Sequence, residues 1–284
     1  MNKDIAYDSD DGGNKKIKFH IPPLSSPVTT ATATTTPTTT AAKADDDYEY
    51  LQGELSVPYS PADLKSLIIF AHGSSSSRKS IRNRYVSRML NNNGFATLLT
   101  DLLTTNEVNS DMKLQKTMDK NGKEGTSSTA LNKFNIKLLS NRLTTITKWV
   151  TENISEVKDL PIGYFGRSTG AAAAIESAVV NDSSNLDPLS HRIYAIVSRG
   201  GRPDLANPNA LKNVKAATLL IVGAKDSKDI IELNKQALEQ LTSSKSKDLV
   251  MVSEAGHLFD NNENIIEEVA NITSEWFTKN IGYD

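Results

Sequence analysis

The chain has 284 residues, enough for one large domain or two small ones with a full hydrophobic core. Its 32 Lys and Arg residues nearly balance 34 Asp and Glu residues, so the net charge of -2 does not favour a nucleic-acid partner. Because cysteine is absent, disulfide frameworks, thiolate metal sites and a cysteine nucleophile are excluded. No apolar run approaches the roughly 18 residues of a membrane-spanning helix, and the start of the chain resembles no signal peptide, so we expect a cytoplasmic protein.

The first 47 residues differ in composition from the rest of the chain. They contain a short KKIKFHIPPL segment and a Thr-rich tract, Thr29–Thr40. Without sustained apolar periodicity, such a segment cannot bury enough surface to offset the entropy lost on ordering. We therefore predict a disordered N-terminal tail at 1–47, with a docking segment at Ile17–Leu24 as the alternative reading.

Between residues 48 and 284, short apolar runs alternate with longer segments of helical periodicity. The predicted strands are Glu49–Val57, Leu67–Ala71, Ala96–Thr100, Ile162–Phe165, Tyr194–Ser198, Thr218–Val222 and Leu249–Val252. The predicted helices are Ile81–Asn92, Phe134–Glu152, Thr169–Val180, Ile230–Leu241 and Ile265–Asn280. Several strands, such as LKSLIIFA, are continuously apolar, as a strand covered on both faces requires. This pattern predicts an α/β catalytic domain at 48–284, with helices on both faces of a mostly parallel, twisted sheet.

Two connecting segments bear on access to a site. The segment 106–130 is polar, contains Gly122 and Gly125 and shows no sustained period, so we predict a polar surface loop. The alternative is a lid, whose substrate-facing residues would be Val108, Met112, Leu114 and Met118. The segment 198–217 is too short for a separate cap domain, so we expect no large cap and a fairly open site.

The segment LPIGYFGRSTGAAAA carries the most informative motif, GxSxG, between a short strand and an Ala-rich helix. In this context Ser168 sits on a tight, strained turn that points its hydroxyl out of the sheet. Gly166 and Gly170 let the neighbouring backbone pass closely. The free amides at the start of the helix face the same point and can bind a developing negative charge. The motif therefore predicts a nucleophilic serine.

A serine nucleophile requires a general base and a carboxylate that orients it. Of the four histidines, His20 lies in the predicted tail, and His191 begins a strand, whereas catalytic groups gather at the carboxyl ends of parallel strands. His257 follows the last predicted strand in the turn SEAGH, and we predict that it is the base. The acid should lie between the serine and this histidine in the chain. Asp226, at the end of TLLIVGAKD, is the preferred candidate, and Asp204 in GGRPD is its rival.

An oxyanion hole requires two hydrogen-bond donors. The first is predicted to be the amide of Thr169, the residue after the nucleophile. The second is the amide of Ser74, in the loop that follows the strand LIIFAHG. His72, at the end of that strand, is predicted to brace the loop rather than to act as a base.

Taken together, these motifs and the segments AHGSSSSRKSIRNRYVSRML, VSRGGRPDLA and EAGHLF resemble the α/β-hydrolase superfamily, within the group related to dienelactone hydrolases. The resemblance extends from Tyr48 to the C terminus. It implies a Ser168, Asp226 and His257 triad that acts through an acyl-enzyme. Dienelactone hydrolases proper use a cysteine where this chain has Ser168, and Arg167 is bulkier than the small residue expected before the nucleophile.

Arginines are concentrated at the predicted rim of the site. Arg78, Arg167 and Arg202 are candidates for binding a substrate carboxylate or phosphate, with Arg82, Arg84 and Arg199 nearby in the sequence. The alternative is that they pair with Asp101, Asp204 and neighbouring acids to hold loops.

The sequence therefore predicts a cofactor-independent serine hydrolase whose partner is a small-molecule carboxylic ester, thioester or lactone. Four scattered histidines provide no metal-ligand spacing such as HExxH, so we expect no metal. A catalytically silent binding module and an acyltransferase with the same triad remain alternatives.

Overall fold

The computed structural model describes residues 5–9, 14–21, 50–58, 64–120, 131–179, 189–260 and 262–282. Its strands are β1 (Ile5–Ser9), β2 (Asn14–Ile21), β3 (Leu51–Pro58), β4 (Leu67–Ala71), β5 (Ala96–Thr100), β6 (Ile162–Ser168), β7 (Ile193–Gly201), β8 (Ala217–Gly223) and β9 (Lys247–Val252). Its helices are α1 (Ile81–Asn92), α2 (Thr105–Lys120), α3 (Ile136–Asn153), α4 (Thr169–Ser177), α5 (Pro208–Asn213), α6 (Lys228–Gln240) and α7 (Glu263–Asn280). Short 3₁₀ turns occupy Asn132–Phe134, Ser190–Arg192 and Pro203–Leu205.

Within these ranges the nine strands form one sheet in the order β1-β2-β3-β5-β4-β6-β7-β8-β9. The strands from β5 to β9 pair in parallel, whereas β1, β2 and β3 add antiparallel strands at one edge. The mostly parallel sheet expected from the sequence is therefore confirmed. Between β7 and β8 the chain forms only a 3₁₀ turn and α5, so no large cap domain is built there.

Two separate apolar clusters lie on opposite faces of the sheet. One contains Ile69 together with residues of α3 and α4. The other contains Ile68 and Phe70 together with residues of α1 and α7. Because successive residues of β4 point to opposite faces and both faces are covered, all five are buried. This double burial explains the continuously apolar strand sequences.

The prediction of a disordered tail at 1–47 is wrong for residues 5–9 and 14–21, which form β1 and β2. β2 pairs antiparallel with β3 over its whole length. Ile17, Phe19 and Ile21 are buried at alternate positions, and the Phe19 ring stacks on Trp149 with a centroid distance of 4.9 Å. β2 thus buries alternate side chains, as a strand with one covered face does, and extends the sheet beyond β3. The proposed docking segment therefore begins inside the sheet, and residues 22–49 lie outside the described ranges.

The prediction of a polar loop at 106–130 is wrong for residues 106–120, which belong to α2. The helix begins with a capping box, in which the Thr104 N–H donates to Glu107 Oε2 at 2.8 Å and the Glu107 N–H donates to Thr104 Oγ1 at 3.2 Å. The Arg142 guanidinium binds the same glutamate, which ties α2 to α3. Residues 121–130 lie outside the described ranges. None of the helices in the described part of the chain is long and apolar enough to cross a membrane.

Candidate active site

Ser168 occupies a sharp turn between the end of β6 and the start of α4. Its φ of 49° and ψ of -124° lie where non-glycine residues are strained by about 1–3 kcal/mol. The turn is pressed against the end of β4, because a Cβ atom at Gly170 would lie 2.2 Å from the Ala71 carbonyl oxygen. The GxSxG motif thus forms the strained turn that the sequence predicts.

The hydroxyl of Ser168 is not used for helix capping. Although Ser168 is the N-cap residue of α4, its side chain makes no hydrogen bond to the first-turn amides. The backbone of the turn is held by the Arg202 N–H, which donates to the Ser168 carbonyl oxygen at 3.1 Å. The hydroxyl and the start of the helix therefore both remain available for chemistry.

His257 and Asp226 are brought together at the carboxyl end of the sheet. His257 Nδ1 lies 2.8 Å from Asp226 Oδ2, while Asp226 Oδ1 accepts the Ser227 N–H at 2.8 Å. The carboxylate is 4% exposed and the imidazole 37% exposed. An Nδ1–H that donates to the carboxylate leaves Nε2 as the basic nitrogen. The rival acid, Asp204, instead binds Arg202 through both carboxylate oxygens.

Ser168 and His257 both lie at the carboxyl end of the sheet. Ser168 is the register partner of Gly201 on β7, and a Cβ atom at the adjacent Gly200 would lie 2.9 Å from the His257 carbonyl oxygen. The Ser168 hydroxyl makes no hydrogen bond to the described residues, so the serine–histidine bond of a triad is not formed in this structure. The structure thus brings Asp226 and His257 into contact at the end of the sheet where Ser168 also lies.

The loop after β4 packs directly against the serine. A Cβ atom at Gly73 would lie 2.8 Å from Ser168 Cβ and 2.9 Å from the Arg167 carbonyl oxygen. His72 holds this loop with both ring nitrogens, since Nε2 accepts the Leu102 N–H at 2.9 Å and Nδ1 contacts the Gly73 carbonyl oxygen at 3.0 Å. Burial lowers the pKa of His72, which keeps the ring neutral in this bracing role.

A cavity of about 800 Å³ opens beside the serine. The two predicted oxyanion donors, Ser74 and Thr169, both line it. Its apolar wall consists of Ile81, Leu103, Val108, Met112, Leu139 and Leu258. Because Val108 and Met112 belong to α2, this helix forms one wall of the cavity, as the lid alternative anticipates. The sequence analysis did not assign Ile81, Leu103, Leu139 or Leu258 to the site, although Leu258 directly follows the turn SEAGH that ends in His257.

The three arginines predicted to bind substrate have different environments. Arg78 pairs with Asp101 and also donates to Gln52. Arg202 is held by Asp204. This geometry does not support Arg78 and Arg202 as substrate ligands, because Asp101 and Gln52 already bind Arg78 and Asp204 already binds Arg202. Arg167 lines the cavity, is 4% exposed and donates no side-chain hydrogen bond to a described residue.

Potential metal ligands are not clustered in this region. Within the described ranges, no group of three or more His, Asp or Glu side chains is arranged to hold a metal ion.

Solved hydrolase structures are similar to this chain over most of its length. A dienelactone hydrolase from Anabaena variabilis is 40% identical, with a TM-score of 0.67, over 82% of this chain and 93% of its own. An esterase from Pyrococcus furiosus is 18% identical, with a TM-score of 0.58, over 84% of this chain and 90% of its own. The second similarity concerns the fold alone.

Curated relatives occur in two strains of Mycobacterium tuberculosis, where the proteins are provisionally named phosphoribosyl transferases. Each is 41% identical over 225 residues, which is 79% of this chain. The match covers 43% of each relative, so this chain spans less than half of their length. No family model matches the sequence.

Proposed function

The chain belongs to the α/β-hydrolase superfamily, in the group related to dienelactone hydrolases, and we propose that it is a serine hydrolase that cleaves a carboxylic ester, thioester or lactone. The similarity to the Anabaena enzyme supports a hydrolase. The observation that carries the finer proposal is the 2.8 Å contact between His257 Nδ1 and Asp226, at the carboxyl end of the sheet where Ser168 occupies a strained turn. A serine, a carboxylate and an imidazole, in this chain order, are the parts of an α/β-hydrolase catalytic triad.

In the proposed reaction, His257 Nε2 takes the proton of the Ser168 hydroxyl while Oγ attacks the substrate carbonyl carbon. The amides of Thr169 and Ser74 stabilise the resulting oxyanion. His257 then donates the proton to the leaving oxygen or sulfur, which departs and leaves an acyl-enzyme. A water molecule, deprotonated by the same imidazole, attacks the acyl carbon. The acid is released, and the proton returns to Ser168.

In this proposal, the serine–histidine hydrogen bond forms when the substrate binds. Catalytic hydrogen bonds are often long or misaligned in free enzymes and tighten when substrate binds. The imidazole is the more exposed partner of its pair, and its one hydrogen bond to the described residues is through Nδ1, so its ring can adjust while Asp226 stays in place. This reading predicts turnover without any rearrangement of the sheet.

The cavity suits a substrate of moderate size with an apolar portion. Val108 and Met112 of α2 and Leu258 beside the histidine provide apolar contacts. Met112 and Leu258 are also exposed to solvent, so the pocket is bounded by a partly open wall.

The test is steady-state hydrolysis of a p-nitrophenyl ester series by the full chain and by Ser168→Ala and His257→Ala. We expect each variant to lose roughly four to six orders of magnitude in kcat. His191→Ala is the matched control and should retain wild-type rates, because this histidine is exposed in the 3₁₀ turn before β7. Absence of turnover by the wild-type protein would overturn the proposal in favour of a catalytically silent binding module.

A further inference from the structure

Three arginines converge beside the serine. Arg167 directly precedes Ser168 on β6, Arg199 is its register partner on β7, and Arg82 lies in the first turn of α1. As register partners on neighbouring parallel strands, Arg167 and Arg199 leave the sheet on the same face. Arg199 is fully buried, and Arg167 is 4% exposed.

Among the described residues, the surrounding acids neutralise these charges only in part. The one ion pair in the cluster, among the described residues, joins Arg82 Nη1 to Asp260 Oδ2 at 3.9 Å. Arg199 Nη2 donates to Asn83 Oδ1 at 3.2 Å, while its Nε and Nη1 atoms are buried without an acceptor. Buried cations are ordinarily paired, because desolvation of an unpaired charge is costly. Elsewhere in the described structure, Arg78, Arg84, Arg142 and Arg202 each bind a carboxylate.

The cluster stays positive at neutral pH. Burial, together with the charges of Arg167 and Arg82, lowers the pKa of Arg199 to about 9. Burial and the charge of Arg82 also lower the pKa of Arg167, although Asp260 opposes this shift. Aromatic rings rather than acids hold Arg199, because its guanidinium carbon lies 5.9 Å from the Phe165 centroid and 5.6 Å from that of Phe259.

The cavity that this cluster faces has an excess of cations. Arg82 and Arg167 line it together with Lys79 and Lys133. Asp111 also lines it, but its carboxylate accepts the backbone N–H groups of Asn132 and Lys133. An anion that enters the cavity therefore meets the guanidinium of Arg167, which no acid of the described residues binds, and the Arg82 donors that Asp260 leaves over.

We propose that Arg167 and Arg82 form an anion subsite next to the nucleophile, reinforced by the buried charge of Arg199, and that the substrate is an ester carrying a carboxylate or phosphate group. The inference that the substrate is an ester rests on the proposed hydrolase function. The inference that an anion binds at Arg167 and Arg82 does not depend on it. Guanidinium groups suit both anions, because their paired N–H donors match two oxygens of one group. Since Arg167 adjoins Ser168, the anion lies a short distance from the scissile carbonyl.

The kinetic test compares three p-nitrophenyl esters of similar length: the neutral butyrate, the hydrogen succinate and the 3-phosphonopropanoate. The measured quantity is the ratio of kcat/KM for each anionic ester to that for the butyrate. We expect Arg167→Gln to lower this ratio about 10- to 100-fold, the effect of losing a hydrogen bond to a charged group. Arg82→Gln, which alters a partly exposed side chain, should lower it in the same direction. The anionic ester whose kcat/KM ratio decreases more, the succinate or the phosphonate, carries the preferred anion.

Arg88→Gln is the matched control, because Arg88 is exposed on the same helix as Arg82 and lies outside the cavity lining. It should leave the ratio unchanged. Equal ratios in the wild type and in both cluster variants would overturn the anion subsite while leaving the hydrolase function intact.

A second measurement separates anion binding from catalysis. The shift in Tm produced by succinate or inorganic phosphate is recorded for the wild type, Ser168→Ala, Arg167→Gln and Arg88→Gln. We expect stabilisation in all except Arg167→Gln. If no ester is hydrolysed but this pattern holds, the hydrolase function fails and the anion site stands. If Arg167→Gln is stabilised as much as the wild type, the anion site is refuted.

Discussion

The loop after β4 packs tightly against the nucleophile at Gly73, so Gly73→Ala tests the geometry of the oxyanion hole. The added Cβ would lie 2.8 Å from Ser168 Cβ and 2.9 Å from the Arg167 carbonyl oxygen, whereas ordinary contacts begin at 3.4 Å. The loop must therefore move by about 0.6 Å, because the atoms it meets are backbone or a short side chain. This displacement is transmitted to the neighbouring amide of Ser74.

A displacement approaching 1 Å in a catalytic group can cost about 100-fold in rate, and loss of one oxyanion donor costs about 100- to 1,000-fold. We expect Gly73→Ala to reduce kcat for p-nitrophenyl acetate by about 100-fold, with a smaller change in KM. Thermal unfolding of the same preparation verifies that the variant is folded.

Gly256→Ala is the control for this experiment. It makes the same chemical change beside His257, but a Cβ atom there would meet nothing within 4 Å. We expect its kcat to stay within about threefold of the wild type. Unchanged activity in Gly73→Ala, or an equal loss in both variants, would refute the role assigned to the loop.

Asp226→Asn should lower kcat by about 10⁴-fold by favouring the wrong histidine tautomer, whereas Asp204→Asn should leave ester hydrolysis nearly unchanged; steady-state kinetics compares the two. Burial lowers the pKa of His72 below its ordinary value of 6.5. As the pH falls below 6.5, His72 therefore takes up a proton more readily in the unfolded chain than in the folded protein, and the free energy of unfolding decreases. His72→Gln should remove up to about 1.4 kcal/mol per pH unit from that slope, measured by urea unfolding. Gly170→Ala should reduce the free energy of unfolding by about 3 kcal/mol, since its Cβ would lie 2.2 Å from the Ala71 carbonyl oxygen; a change below about 1 kcal/mol would contradict this packing.

Elements whose signals are local were predicted well from the sequence. β4, β5 and α1 have the predicted boundaries, because each is an apolar or periodic segment between turn residues. β2 was missed because its alternation covers few residues and its partner, β3, begins some 30 residues later along the chain. α2 was missed because its surface is polar, although the Thr104–Glu107 capping box was visible in the sequence.

Similar reasoning applies to the site. Ser168, Asp226 and His257 could be proposed from sequence because triad chemistry restricts residue types, chain order and position at strand ends. The partners of arginines depend on contacts between distant segments, such as Arg78 with Asp101. Arg199 did carry a signal, because a charged residue inside the apolar strand IYAIVSRGG is one that the fold must bury.

The most direct test of the central claim is covalent labelling of the intact protein with a fluorophosphonate, followed by mass spectrometry of its peptides. The oxygen of an activated serine attacks phosphorus and displaces fluoride, so the phosphonyl group stays on the serine. The general base takes up the hydroxyl proton of the serine. The triad account predicts one adduct, on Ser168, that is absent in Ser168→Ala and forms far more slowly in His257→Ala. No adduct, or an adduct on another serine that persists in Ser168→Ala, would contradict it.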